Sequence, residues 1–261
     1  MLMGEKYGAT MRAQSAICSR PAVNLILFSA EEISRPLPRT DPRAQHLLDV
    51  LQRRPGDTFD AGLRDGPRGK GTLIAVSSSD LTLEFQWGDP PPPLDNLTLI
   101  IGLPRPQTAR KILREATALG LARLHFVVTG RGEAAYARST LWTSGEWERQ
   151  LVIGAEQAFC TRLPVLTHGH TLAEILTTIP SPGARLALDN YEAPQALSQF
   201  HLLSEMSVVL AFGSERGWTA AERDRLRAAQ FAFVHLGSRV LRVETAVVAA
   251  IAIVKARRGA M

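Results

Sequence analysis

Leu236-Gly237-Ser238-Arg239-Val240-Leu241-Arg242-Val243-Glu244-Thr245-Ala246 crowds two arginines, a glutamate and a threonine between two apolar segments. On one side, Phe233-Val234-His235-Leu236 is short and apolar in the manner of a buried strand. On the other, residues 245–254 are Ala, Val and Ile apart from Thr245. The stretch predicts strand, loop and helix, with Thr245 as the N-cap. A loop entering a helix aims free backbone N–H groups at whatever binds there, and Gly237 permits close approach to the backbone. Each residue taken singly also has a structural reading: Gly237 as a turn, Arg239 and Arg242 as solvated charges, Glu244 as a partner of the helix dipole.

Upstream, strand-like and helix-like segments alternate. Strands are expected at 97–102, 124–128, 186–188, 208–212 and 231–236, and helices at 105–119, 145–160, 171–179 and 219–229. Such alternation predicts an α/β domain with a largely parallel sheet. Phe212-Gly213-Ser214-Glu215-Arg216-Gly217-Trp218-Thr219 follows the apolar strand that contains Ala211 and precedes a charged helix. Its glycines let backbone amides approach a ligand, and Thr219 with Glu222 has the spacing of a capping box. No Gly-x-Gly-x-x-Gly follows a strand and no P-loop is present, which disfavours a Rossmann or NTPase site.

The first 92 residues read differently. Short strands at 24–28, 58–63, 71–76 and 81–87 are separated by glycine-rich turns, with a helix at 44–51 between the first two. A small β-barrel is expected. Gly88-Asp89-Pro90-Pro91-Pro92-Pro93 then ends it, because consecutive prolines favour a stiff extended linker. The expected organisation is a disordered tail at 1–20, a barrel domain at 21–88, a linker at 89–94 and the α/β domain at 95–261.

Composition sets further bounds. With 45% hydrophobic and 21% charged residues the chain is ordinary for a globular protein. Its longest apolar run, residues 246–254, is far below the roughly 20 residues of a membrane helix, and residues 1–20 lack a signal-type apolar core. No membrane partner and a cytoplasmic location are expected. Cys18 and Cys160 read as ordinary thiols, and His168 with His170 as a loop pair, so no metal site is expected. Residues 1–92 carry 11 Lys and Arg against 11 Asp and Glu, whereas residues 93–261 carry 19 against 14. The whole basic excess therefore sits in the second domain, where contacts to a polyanion are expected. Arg110, Lys111 and Arg114 are three or four apart and share one helix face.

The 236–246 stretch resembles the C-terminal signature of the RsmE-type 16S ribosomal RNA uracil-N3 methyltransferases of the SPOUT superfamily, approximately LG-x-R-(I/V)-LR-x-ETA. The resemblance extends over most of residues 21–254. His46, Val50-Leu51 and Gly56-Asp57 follow the family's PUA-like domain, with Gln52 in place of an arginine and Arg53 directly after it. Gly213 to Gly217 follows its Gly-Pro-Glu-Gly-Gly loop, with Ser214 for proline and Arg216 for glycine. Glu156, Gln157 and Pro164 follow another segment, where Arg162 stands two residues after the family's arginine.

This resemblance implies an α/β SPOUT domain with a C-terminal trefoil knot behind a PUA-like β-barrel, acting as a homodimer on ribosomal RNA or the small subunit. It implies S-adenosylmethionine as cofactor, wrapped by three loops: Leu188 and Asp189; Ala211, Gly213, Ser214, Glu215 and Gly217; and Leu236, Gly237, Arg239, Val240, Leu241 and Thr245. Arg242 would hold a phosphate or uracil oxygen, and Glu244 would take the imino proton or else tie the loop together. Arg53, Arg110, Lys111, Arg114, Arg131 and Arg162 would contact RNA phosphates. Three readings stay open: the uracil-N3 enzyme, a paralogue methylating another RNA position, and a non-catalytic RNA-binding factor.

Overall fold

The computed structural model describes residues 25–179 and 182–260; the expected tail at 1–20, Cys18 and Asn24 lie outside the described residues. Two sheets organise the chain. The first contains β1 (Ile26–Phe28), β2 (Leu37–Pro38), β3 (Thr58–Leu63), β4 (Arg68–Val76) and β5 (Asp80–Trp87) in the order β1-β3-β4-β5-β2. Only β1 and β3 run parallel. β1 and β2 are its two edges, so hydrogen-bond ladders among the described residues do not close the expected barrel.

A helix fills the gap instead. α1 (Pro42–Gln45) runs into a π-helical turn at His46–Val50, and Ala44 and Leu47 sit fully buried among Ile26, Phe28, Leu37 and Leu81. It begins two residues before its expected start because Asp41 caps the Arg43 amide and Pro42 presets the first turn.

The second sheet is built from β6 (Asp95–Gly102), β7 (Leu121–Val128), β8 (Val165–Thr171), β9 (Ala184–Leu188), β10 (Gln195–Ala196), β11 (Val208–Phe212) and β12 (Ala232–His235). Their order is β10-β12-β9-β11-β6-β7-β8, and every pairing is parallel. Successive side chains point to opposite faces, so Leu99 and Ile101 enter one core while Ile100 enters the other. Both faces are covered, which is why these strands read as continuous apolar runs rather than alternating ones.

The first face carries α2 (Pro106–Ala118), α3 (Thr140–Thr143), α4 (Glu146–Gln157) and α7 (Val243–Arg257); the second carries α5 (Leu172–Thr178) and α6 (Ala220–Ala228). Fully burying each Leu or Ile of these cores contributes about 2–3 kcal/mol relative to leaving it in water. α2 and α4 pack closely at Gly154, where a Cβ would stand 2.4 Å from the Arg114 carbonyl oxygen. The capping box expected at Thr219 and Glu222 is present, and Thr171 with Glu174 forms another.

His168 and His170 are not in a loop. They lie on β8, the sheet edge, and Gly169 (φ +84°) is the extra residue of a β-bulge between them, since Phe126 pairs with His168 and Val127 with His170. An edge strand tolerates polar side chains, and the His168 ring packs 4.9 Å from that of Trp142. Among the described residues no cluster of His, Cys, Asp or Glu has the makings of a metal site.

The two sheets are tied by the end of α4 and the segment after it. Glu156 accepts a hydrogen bond from the Leu27 amide (3.0 Å), Thr161 donates to the Gly66 carbonyl (2.6 Å), and the Leu163 amide donates to Asp65 (3.1 Å).

Candidate functional site

Three loops leave the C-terminal ends of β9, β11 and β12, which lie side by side in the sheet, and enclose a cavity of about 190 Å³. In open parallel sheets the strands' carboxyl ends are where ligands bind, because the connections there splay apart around a crevice. The fold thereby brings residues far apart in sequence to one wall.

The first loop is held by Asp189. Its Oδ1 accepts from the Tyr191 and Glu192 amides at 2.6 and 2.9 Å, and its Oδ2 from Arg223 Nε at 2.7 Å. That carboxylate is spent on the protein itself, so any contribution of Asp189 to a ligand comes through its backbone or its hold on the loop. Leu188 offers its side chain to the cavity while its carbonyl accepts from Trp218 Nε1 at 3.2 Å, joining the first loop to the second.

The second loop is a tight turn in which the Gly217 amide donates to the Ser214 carbonyl at 2.8 Å. Gly217 has φ +69°, and a Cβ on Gly213 would stand 2.8–3.0 Å from Gly217 and Trp218 backbone atoms, so both positions require glycine. Glu215 accepts from the Arg105 amide (2.8 Å), and Arg131 donates to the Arg216 carbonyl (3.0 Å). The Ser214 hydroxyl is buried without a hydrogen-bond partner, although its residue lines the cavity. An orphaned buried polar group of this kind asks for a bound partner.

The third loop carries the 236–246 stretch. Leu236, Arg239, Val240 and Leu241 line the cavity, with Val240 82% exposed. Gly237 has φ +112° and donates its amide to His235 Nδ1 (3.0 Å), which leaves it on the outer side of the turn. The expected N-cap at Thr245 is corrected: α7 starts at Val243, its N-cap is Arg242, and no side chain caps it. Arg242 is still extended (ψ 152°) and Val243 is already helical, so the helix begins three residues earlier than the apolar run suggests. The first-turn amides are thus left without a side-chain cap near the cavity, where Val243 and Ala246 form part of the wall.

Apolar walls, exposed backbone groups and one unpartnered hydroxyl fit an adenosine-like group with few polar anchors. Ten of the thirteen residues expected to hold the cofactor line this cavity. The other three stand behind it: Ala211 is buried in β11, Gly237 faces outward, and Thr245 lies exposed in the first turn of α7. Arg216, Trp218 and Tyr191 line it too and were missed as site residues; Trp218, the aromatic directly after a glycine turn, was the available signal. Arg242 and Glu244 flank the cavity without lining it, and Glu244 Oε1 lies 3.4 Å from Lys111 Nζ.

The structure redirects most of the arginines expected on RNA. Arg110 makes a two-bond ion pair with Glu146 (2.6 and 2.7 Å), which raises the guanidinium pKa and lowers that of the carboxyl, and Arg114 donates to Gln150 at 2.5 Å. Both brace α2 against α4 instead of forming a free basic face. Arg162 donates to the Pro91 and Pro92 carbonyls (3.1 and 2.9 Å) and holds the proline segment. Arg131 is partly spent on Arg216, Arg53 is half-buried, and Lys111 is the exposed cation nearest Glu244 on α2. Glu156 and Gln157 lie away from this cavity, against the first sheet, where burial pushes the Glu156 carboxyl pKa up.

The RNA methyltransferase domain family matches residues 90–255. Ribosomal RNA small subunit methyltransferase E from Treponema pallidum is 33% identical over 248 residues, covering 90% of this chain and 91% of that protein. Ribosomal RNA small subunit methyltransferase E 1 from Borreliella burgdorferi is 28% identical, covering 87% and 95%. Among solved structures, a ribosomal RNA small subunit methyltransferase E from Neisseria gonorrhoeae, bound to S-adenosyl methionine, superposes with a TM-score of 0.70 over 89% of this chain and 97% of that one, at 24% identity. On these matches this chain belongs to the RNA methyltransferases of the small-subunit methyltransferase E type.

Proposed function

We propose that this chain methylates N3 of a uridine in 16S ribosomal RNA, using S-adenosylmethionine. The observation that carries the reading is the convergence of Leu188, Gly213 to Gly217, Leu236 and Arg239 to Leu241 on one cavity, in a chain 33% identical to a ribosomal RNA small subunit methyltransferase E. When bound, the cofactor supplies a sulfonium-activated methyl group. Leu188, Leu236 and Leu241 would enclose its adenine, and the Ser214 hydroxyl would gain the partner it lacks.

The protein's own task is to orient the base and remove its imino proton. Glu244, in the first turn of α7, is the group to accept that proton directly or through a water, and Lys111 at 3.4 Å holds its carboxylate toward α2. Arg242, exposed at the N-cap, is free to hold a phosphate or a uracil oxygen, beside first-turn amides that also favour an anion. Positioning of nitrogen in line with the methyl group supplies the larger share of the acceleration.

Around this centre the same reading assigns residues 21–88 to a PUA-like RNA-binding domain, 89–94 to a linker and 95–261 to the SPOUT domain. Support for a trefoil knot comes from β12 lying between β9 and β10, with α7 then packing on both α2 and the turn at Leu197–Gln199. Support for a homodimer comes from the exposed Val240 and the half-buried Val248, Ala249 and Ala252 on an α7 that is apolar all round. Among the described residues no helix is long and apolar enough to cross a membrane, and work on ribosomal RNA assigns the protein to the cytoplasm.

The test is a map of N3-methyluridine in 16S ribosomal RNA from cells with and without the protein. The modification disappears in its absence and returns with the purified protein and S-adenosylmethionine. An unchanged map removes the uracil-N3 assignment, and calorimetry showing no S-adenosylmethionine binding removes catalysis altogether.

A further inference from the structure

A second cavity, about 500 Å³, lies between the two sheets, away from the methyl-donor site. One wall comes from β1 and α1, the other from α4. Its accessible apolar surface is supplied by the half-buried Val152 and Ile153, with Leu25 and Leu27 buried behind them. Its charges divide into two kinds.

Arg43 is fully employed: it donates to Glu32 (2.6 Å), Asp41 (2.8 Å) and the Leu27 carbonyl (3.1 Å), so it contributes structure and no free charge. Arg64 and Arg149 line the same cavity and are exposed, and neither guanidinium has a hydrogen bond or ion pair among the described residues. Glu156 lines the same cavity, one carboxyl oxygen taken by the Leu27 amide and the other without a hydrogen-bond partner among the described residues. Burial raises the pKa of that carboxyl. Its free oxygen can accept from an N–H on the edge of a base.

We propose that this cleft takes one unstacked nucleotide of the RNA substrate, distinct from the nucleotide that is methylated. The base lies against Val152 and Ile153, Glu156 reads its polar edge, and Arg64 and Arg149 hold the flanking phosphates. The proposal rests on the RNA methyltransferase reading above. Volume and chemistry agree: the cavity is within the roughly 300–1,000 Å³ of small-ligand sites, and apolar walls with a few convergent polar groups suit a single base. Single-stranded RNA is recognised in this way, by splaying a base out and bonding its edge while cations follow the backbone. The cleft spans both sheets, so a nucleotide seated there fixes the first sheet and the methyl-donor site on one strand of RNA.

The experiment uses the full chain and small ribosomal subunits purified from cells that lack the protein. Binding is measured across salt concentrations for the wild type and the Arg64→Ala/Arg149→Ala double variant, whose substituted side chains are exposed and leave folding intact. The expected result is roughly tenfold weaker binding and a log-log salt slope smaller by about one to two, with S-adenosylmethionine affinity unchanged. Ultraviolet crosslinking of the wild type should join a nucleotide other than the methylated one to a peptide containing 25–27 or 149–157. Equal affinity and slope for the variant, with crosslinks elsewhere, overturn the cleft while a methylating wild type leaves the enzyme reading standing. A wild type that transfers no methyl group to these subunits overturns both.

Discussion

Arg223 on α6 reaches across to Asp189 after β9, Nε to Oδ2 at 2.7 Å, with the two side chains only 8% and 2% exposed. This buried pair holds the first loop of the cavity against the helix that follows the second one. Substituting Asp189 by Asn removes the nearer counter-charge of a buried guanidinium and leaves only Glu192, at 3.6 Å, so the cost falls at or below the about 3–5 kcal/mol of a fully broken buried pair. Urea unfolding of Asp189→Asn should show a lower midpoint with a similar slope. Arg223→Met in the same chain should recover part of the loss, and a variant as stable as the wild type would show that the pair contributes nothing.

Gly213 offers a cleaner probe of the cavity. A Cβ there would sit 2.8 Å from the Gly217 carbonyl carbon and 3.0 Å from the Trp218 nitrogen, all backbone atoms that cannot swing aside. Overpacking of this kind costs about 1–3 kcal/mol, spent here on moving the loop. Gly213→Ala should weaken S-adenosylmethionine binding by about tenfold or more in calorimetry while leaving the far-ultraviolet circular dichroism spectrum unchanged. Full affinity would mean that the turn does not shape the site.

Glu32 governs part of the acid stability of the first sheet. Its hydrogen bonds and charge pairing with Arg43 outweigh burial and hold the carboxyl at about 2, against an ordinary 4.5. The folded state therefore binds its proton less readily than the unfolded chain. The contribution is complete above pH 4.5 and is lost as pH falls from 4.5 toward 2. Thermal melts of Glu32→Gln should show a shallower loss of Tm over that interval than the wild type. Parallel pH profiles would dismiss the pair as a source of acid sensitivity.

Glu244 is tested by kinetics. Glu244→Gln preserves size and hydrogen bonding but removes the proton acceptor, so kcat should fall on the order of 100-fold with S-adenosylmethionine affinity intact. Lys111→Met should lower kcat less than Glu244→Gln does, since Lys111 only orients the carboxylate from 3.4 Å. Undiminished turnover in Glu244→Gln would leave the residue only a structural role.

The sequence alone determined the alternating pattern of the second sheet and the motif at its end, because hydrophobic period and turn chemistry are local properties. β11 at Val208–Phe212 and β3 at Thr58–Leu63 fall where the residues predict them. The Thr219 and Glu222 capping box was legible for the same reason. Local rules misread His168 and His170, since a bulged edge strand carries polar residues that look like a loop.

Only the tertiary structure decided which side chains are free to act. Arg110, Arg114 and Arg162 look like RNA contacts as a linear run of charge, yet each is drawn to a partner 36 to 71 residues away. Arg64 and Arg149 attract no notice in the sequence, and the packing of α4 against the first sheet leaves both on one cleft. Charge is written locally, but its availability depends on what the fold sets opposite it, and that is a property of long-range packing.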